Sequence, residues 1–116
     1  MKRILLAEDE SLLALLFKNT IEDLGHKIIG IASTGKEAIE QTCALRPDVA
    51  FLDINMESKT AGIEACMSIK TKCPEVKVYF LTAYSKGTFV NELAGVQQDG
   101  YIEKIDFEDI VEKLLE

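Results

Sequence analysis

The chain has 116 residues, 47% of them hydrophobic and 28% charged, and 13 basic against 20 acidic side chains give it a formal net charge of −7. That length suits one domain with a sizeable core, and no apolar run approaches the roughly 20 residues of a membrane span. The acidic balance withholds the phosphate-neutralising surface that nucleic-acid binding requires, so neither direct nucleic-acid contact nor membrane association is expected.

The predicted elements alternate along the chain. Met1, Lys2 and Arg3 lead straight into a strand at 3–7 (RILLA), with no cleavable signal, and that strand runs into Glu8, Asp9 and Glu10. A helical stripe of Leu13, Leu16, Phe17, Thr20 and Leu24 stops before Gly25, and a second strand follows at 27–32 (KIIGIA). Ser33-Thr34-Gly35 starts a second helix with Ala38, Ile39, Thr42 and Cys43 on one face, ending near Pro47. A third strand at 49–53 (VAFLD) precedes a helix marked by Ile63, Cys66, Met67 and Lys70, which stops before Pro74. A fourth strand covers 76–81, and a weakly patterned fourth helix is expected around Lys86 to Gln98, interrupted by Gly87 and Gly95. A short strand at 100–103 leads to a last helix with Phe107, Ile110, Val111, Leu114 and Leu115 on one face. Cys43, Cys66 and Cys73 are odd in number and too far apart for a zinc knuckle; they and Met56 are expected to be packing groups, the thiols reduced and the protein cytoplasmic. His26 is expected at the surface.

Five strands alternating with five helices predict an α/β fold: a three-layer (βα)5 doubly wound parallel sheet of flavodoxin-like type, strand order 2-1-3-4-5, as a single domain over 1–116. Ligands of such sheets bind at the carboxyl ends of the strands, here between the first and third. At those ends stand Glu8 and Asp9, then Asp53, Thr82 and Lys104. Clustered carboxylates raise one another's pKa unless a cation joins them, and a hard divalent ion with oxygen ligands, Mg²⁺, suits such a set. Asp53 could then attack a phosphoryl group, with Mg²⁺, Lys104 and Thr82 stabilising the charge that builds on its oxygens.

Four segments, each closing a predicted strand, carry a resemblance. "LLAEDE", "VAFLDINM", "FLTAY" and "GYIEK" resemble, in that order, the acidic pair, the phosphoacceptor segment, the Thr/Ser segment and the aromatic-plus-lysine segment of the response-regulator receiver (CheY-like) domain of two-component signalling. The resemblance covers essentially the whole chain. It implies that Glu8, Asp9, Asp53 and the Asn55 backbone carbonyl hold Mg²⁺, and that Asp53 accepts phosphate from a sensor histidine kinase or phosphotransfer protein. It further implies that Thr82 and Lys104 bind the phosphoryl group and that Tyr101 swings inward when Thr82 moves. The surface of the fourth helix, fifth strand and fifth helix would then signal to a downstream partner or effector domain, a phosphorylation-dependent dimer being one form of output. Such a protein is no enzyme towards other substrates, catalysing only its own phosphorylation and dephosphorylation. Asn55 and Tyr84 flank the site and are candidates for tuning the phosphate's lifetime. The sequence departs from the family pattern at Glu57, where proline is common, at Gly62, one residue late, and at Ile105, where the family often has a cis proline and a trans bond is expected here.

Three rival readings would each require something else of the chain. A phosphohydrolase would want an acid at position 55, which is Asn, and a flavin or nucleotide carrier would want a phosphate loop where the chain has Glu8-Asp9-Glu10. The remaining alternative is a phosphorylation-independent, receiver-like interaction module. Glu10 is expected to be a helix cap or a solvated acid.

Overall fold

A computed structural model describes residues 1–116. Five parallel strands, β1 (Arg3–Ala7), β2 (Lys27–Ala32), β3 (Val49–Leu52), β4 (Lys77–Thr82) and β5 (Gly100–Glu103), form one sheet in the order β2-β1-β3-β4-β5. Four α-helices cover it: α1 (Ser11–Asp23), α2 (Gly35–Leu45), α3 (Ala61–Lys72) and α4 (Phe107–Leu114). β3 is buried at every residue and β1 at all but its first, so neither shows the alternation of a half-exposed strand. The edge strands β2 and β5 are only partly buried.

Two apolar cores lie on the two faces of the sheet. Under α1 and α4, Phe107 is the hub, its ring 4.8 Å from Phe17 and 5.6 Å from Phe51. Under α2 and α3, Ala38, Ile63, Ala65, Cys66 and Ile69 pack on Leu5, Ala50, Leu52 and Val78.

Two helical expectations are corrected. The fourth helix is a single 3-10 turn, Lys86–Phe89, followed by irregular turns. Gly87 and Gly95, the latter at φ +78°, favour the unfolded backbone over a helix, while Phe89 and Leu93 still bury their side chains and share one backbone hydrogen bond of 2.8 Å. In α1 the buried stripe is Ala14, Phe17 and Ile21, and Leu16 is exposed. With leucines at 12, 13, 15 and 16, periodicity could not tell which belong to the core.

The prolines stand where expected, just after helix ends. α2 is capped by Arg46 in the left-handed region (φ 49°), and its last carbonyls, of Leu45 and Arg46, accept hydrogen bonds from the Arg3 guanidinium. His26 is half-buried rather than free at the surface, its Nδ1 accepting the Lys2 N–H at 3.0 Å.

Gly62, in the first turn of α3, presses directly on the backbone of Asp53. A Cβ there would lie 2.0 Å from the Asp53 carbonyl oxygen, and the Gly62 N–H donates to Ile54 O at 2.8 Å. Gly62→Ala is therefore expected to destabilise by about 2 kcal/mol or more in urea unfolding, since backbone must move to admit the methyl. Gly87→Ala, with nothing within 4 Å of its Cβ, should be neutral to stabilising within about 1 kcal/mol. Equal losses for the two variants would refute this account of Gly62.

Candidate functional site

The site forms where β1 and β3, neighbours in the sheet, both end. The Glu8 N–H donates to Ala32 O (2.8 Å) and the Asp53 N–H to Ala7 O (3.0 Å), so the sheet ladder itself fixes the two backbones from which the acids project. Glu8 is 3% exposed and Asp53 5%, whereas Asp9 is exposed. Carboxylate oxygens of the three lie within 4.8 Å of one another.

Lys104 reaches across from the end of β5. Its Nζ is 3.0 Å from Asp53 Oδ2 and 2.6 Å from Glu8 Oε1. The peptide before Ile105 is trans, as expected, and residues 104–106 make a 3-10 turn into α4 that still delivers the ammonium to the acids. Asp53 Oδ1 accepts the Asn55 N–H at 3.3 Å and Glu8 Oε2 the Glu10 N–H at 3.1 Å. The Lys104 ammonium is thus the partner that the buried Glu8 Oε1 finds. Glu10, exposed and at the N-cap position of α1, makes no side-chain cap.

Burial dominates the electrostatics. It raises Asp53 above the ordinary aspartate value, against the pull of Lys104 and the Asn55 amide, and nearby Asp9 adds to the rise. Burial likewise raises Glu8, with Lys104 and the Glu10 amide opposing and Asp53 adding. For Lys104, burial disfavours the charge but the two carboxylates outweigh it, and its pKa is raised. One ammonium thus faces more negative charge than it neutralises. Three carboxylates converging around a single ammonium fit a hard divalent cation.

Thr82 ends β4 and is fully buried, its Oγ1 accepting the Tyr84 N–H at a long 3.5 Å. Tyr101 is half-buried on β5. Its hydroxyl donates to Tyr84 O at 2.8 Å, and burial, then Glu103 and Asp53, push it up to about 12. The turn at 82–84 therefore touches both residues. Glu57, one of the departures from the family pattern, places both carboxylate oxygens on the Gly35 N–H (2.8 and 2.9 Å), tying the loop after β3 to the N-terminus of α2. That contact spans 22 residues and no local sequence signal announces it.

A five-stranded doubly wound sheet with three acids and a lysine at its switch point is the arrangement of a receiver, and the family model "response regulator receiver domain" matches residues 4–115. The chain belongs to that family, the receiver domains of two-component response regulators. It is 31% identical over 91 residues to the chemotaxis protein CheY of Thermotoga maritima, covering 78% of this chain and 75% of that one. With the transcriptional regulatory protein PdtaR of Mycobacterium tuberculosis it shares 30% over 103 residues, 89% of this chain but 49% of that protein. It spans 33% of the regulator PhyR of Methylorubrum extorquens, to which it is 36% identical over 90 residues. Among solved structures, the response regulator domain of Thermotoga maritima CheB superposes with a TM-score of 0.82 at 27% identity, covering 97% of this chain and 90% of that one.

The raised acids set a pH dependence for the metal-free protein. Between the ordinary carboxylate range and the higher native values, the folded state holds protons the unfolded chain has released, so these groups stabilise at low pH and that contribution fades as pH rises through the native values. Asp53→Asn, kept in chelator, should melt higher than the parent at pH 7, with the gap closing as pH is lowered through the carboxylate range. A variant that melts lower at pH 7 would contradict this balance.

Proposed function

We propose that the protein is a phosphorylation-dependent switch in which Asp53 is the phosphoacceptor. The observation that carries this reading is the convergence of Glu8, Asp9 and Lys104 on the Asp53 carboxylate at the switch point of the sheet. A carboxylate oxygen of Asp53 attacks the phosphorus of a phosphohistidine on a sensor kinase or phosphotransfer protein. The P–N bond breaks, the imidazole leaves, and an aspartyl phosphate remains. Lys104, already paired with Asp53, turns its ammonium to a phosphoryl oxygen, and the Thr82 hydroxyl donates to another; such preplaced donors supply most of the rate of phosphoryl transfer. A Mg²⁺ ion held by Glu8, Asp9, Asp53 and the Asn55 carbonyl would neutralise charge on the transferred group.

The switch follows from the turn at 82–84. When Thr82 closes on the phosphoryl group, the Tyr84 carbonyl that holds the Tyr101 hydroxyl moves with it, releasing the ring to pack inward. The segment 86–98, β5 and α4 then present a changed surface to a downstream partner, an effector domain or a second copy. The irregular 86–98 segment holds few backbone hydrogen bonds to resist that change. Asn55 and Tyr84 border the approach of the hydrolysing water. As a unit over 1–116 that would catalyse only its own phosphorylation and dephosphorylation, the domain would act in the cytoplasm and without direct nucleic-acid or membrane contact. The alternative, a module indifferent to phosphate, would need Asp53 to be unreactive, and the ammonium and acids around it argue otherwise.

Incubation with Mg²⁺ and acetyl phosphate, followed by intact mass, should show a labile gain of one phosphoryl group in the parent and none in Asp53→Asn. Lys104→Ala should label more slowly, by roughly 10²-fold, and Tyr84→Ala should lose its phosphate faster than the parent. An unlabelled parent, with Mg²⁺ present and the fold intact, would support the phosphorylation-independent module instead.

A further inference from the structure

Away from the phosphoacceptor rim, two of the three free thiols meet. Cys43, in the last turn of α2, has its Sγ 3.5 Å from that of Cys73, the residue capping the C-terminus of α3. Cys66, two turns earlier along α3, is directed elsewhere, its thiol donating to Gln97 O. The same two helix ends are joined by a second contact, an ion pair between Arg46 and Glu75. Closing the thiols to a bond of about 2.05 Å requires them to approach by roughly 1.5 Å.

We propose that Cys43 and Cys73 are a reversible dithiol–disulfide pair, a redox-modification site that staples α2 to α3. Cys43 is partly exposed and is the entry point; Cys73 is fully buried, and burial pushes its thiol up to about 11, so a small disulfide meets Cys43 first and Cys73 reacts only with the sulfur already beside it. The co-reactant is a small disulfide such as oxidised glutathione. The Cys43 thiolate attacks one of its sulfurs, forming a mixed disulfide and expelling one small thiolate. The Cys73 thiolate then attacks the Cys43 sulfur, forming the internal bond and expelling the second. The two protons shed by the cysteines end on the two small thiols, and two electrons pass from the protein to the oxidant.

The link joins positions 30 residues apart and encloses β3, Asp53 and the whole of α3. It lies at the amino ends of the strands, where β4 begins, opposite the carboxyl ends where β3 delivers Asp53, so the crosslink and the chemistry at Asp53 are separable. A loop of that length should raise the melting temperature by about 10 °C.

The full chain, equilibrated in graded mixtures of reduced and oxidised glutathione and then alkylated, is mapped by peptide mass without reduction while its melting temperature is followed. The pair predicts a linked Cys43–Cys73 peptide lighter by two hydrogens, an alkylated Cys66, and a melting rise that reductant reverses. Cys66→Ser should behave the same, and Cys43→Ser, altering a partly exposed residue, should give neither link nor rise. A single glutathione retained on Cys43 with Cys73 alkylated, a bridge involving Cys66, or oxidation seen only after unfolding would each overturn the proposal.

Discussion

Two carboxylates buried side by side at the end of a parallel sheet, with one ammonium between them, set the terms for everything else in this molecule. Glu8 and Asp53 are nearly inaccessible to water, and taking a carboxylate out of water is costly unless charge and hydrogen bonds replace the solvent. Lys104 supplies one positive charge and two backbone amides supply donors. Positive charge still falls short: exposed Asp9 adds further negative charge, and both buried acids remain above their ordinary pKa. On the proposed reading, a cluster left short of positive charge in this way would take up a cation and a phosphoryl group together.

The rest of the fold holds that unbalanced cluster in place. Neighbouring β1 and β3 project the acids from adjacent ladder positions, and β4 and β5 bring Thr82 and Lys104 to the same rim. Gly62 lets α3 start against the Asp53 carbonyl, which no side chain would permit, and Glu57 moors the intervening loop on α2. The last turn of contact is softer. Tyr101 holds the Tyr84 carbonyl through one hydrogen bond at a half-exposed position, and residues 86–98 are turns rather than helix, so the least regular backbone lies beside the lysine and the hydroxyl rather than beneath the acids.

Much of this was legible in the chain itself. Apolar runs without alternation mark the central strands, because burial on both faces leaves no polar register, and the polar residues closing the runs, Glu8, Asp9, Asp53 and Lys104, are those that the sheet brings together. The strand order and layers followed. What stayed hidden was long-range or degenerate. The leucine cluster of α1 offers several helical faces, and only packing of Ala14, Phe17 and Ile21 on α4 and the sheet decides between them. A helical period over 86–98 gave way to backbone entropy at Gly87 and Gly95. The Glu57 tether and the meeting of Cys43 with Cys73 join residues 22 and 30 positions apart, where periodicity carries no information.

The central claim is that the buried acids lack positive charge and that a divalent cation supplies it. Thermal unfolding across a Mg²⁺ titration at constant ionic strength, for the parent and for Asp9→Asn, which alters only the exposed acid, tests it most directly. The parent's melting temperature should climb with free Mg²⁺ and saturate, and Asp9→Asn should need markedly more ion to reach the same gain. Identical melting of the parent in magnesium and in chelator would contradict the account.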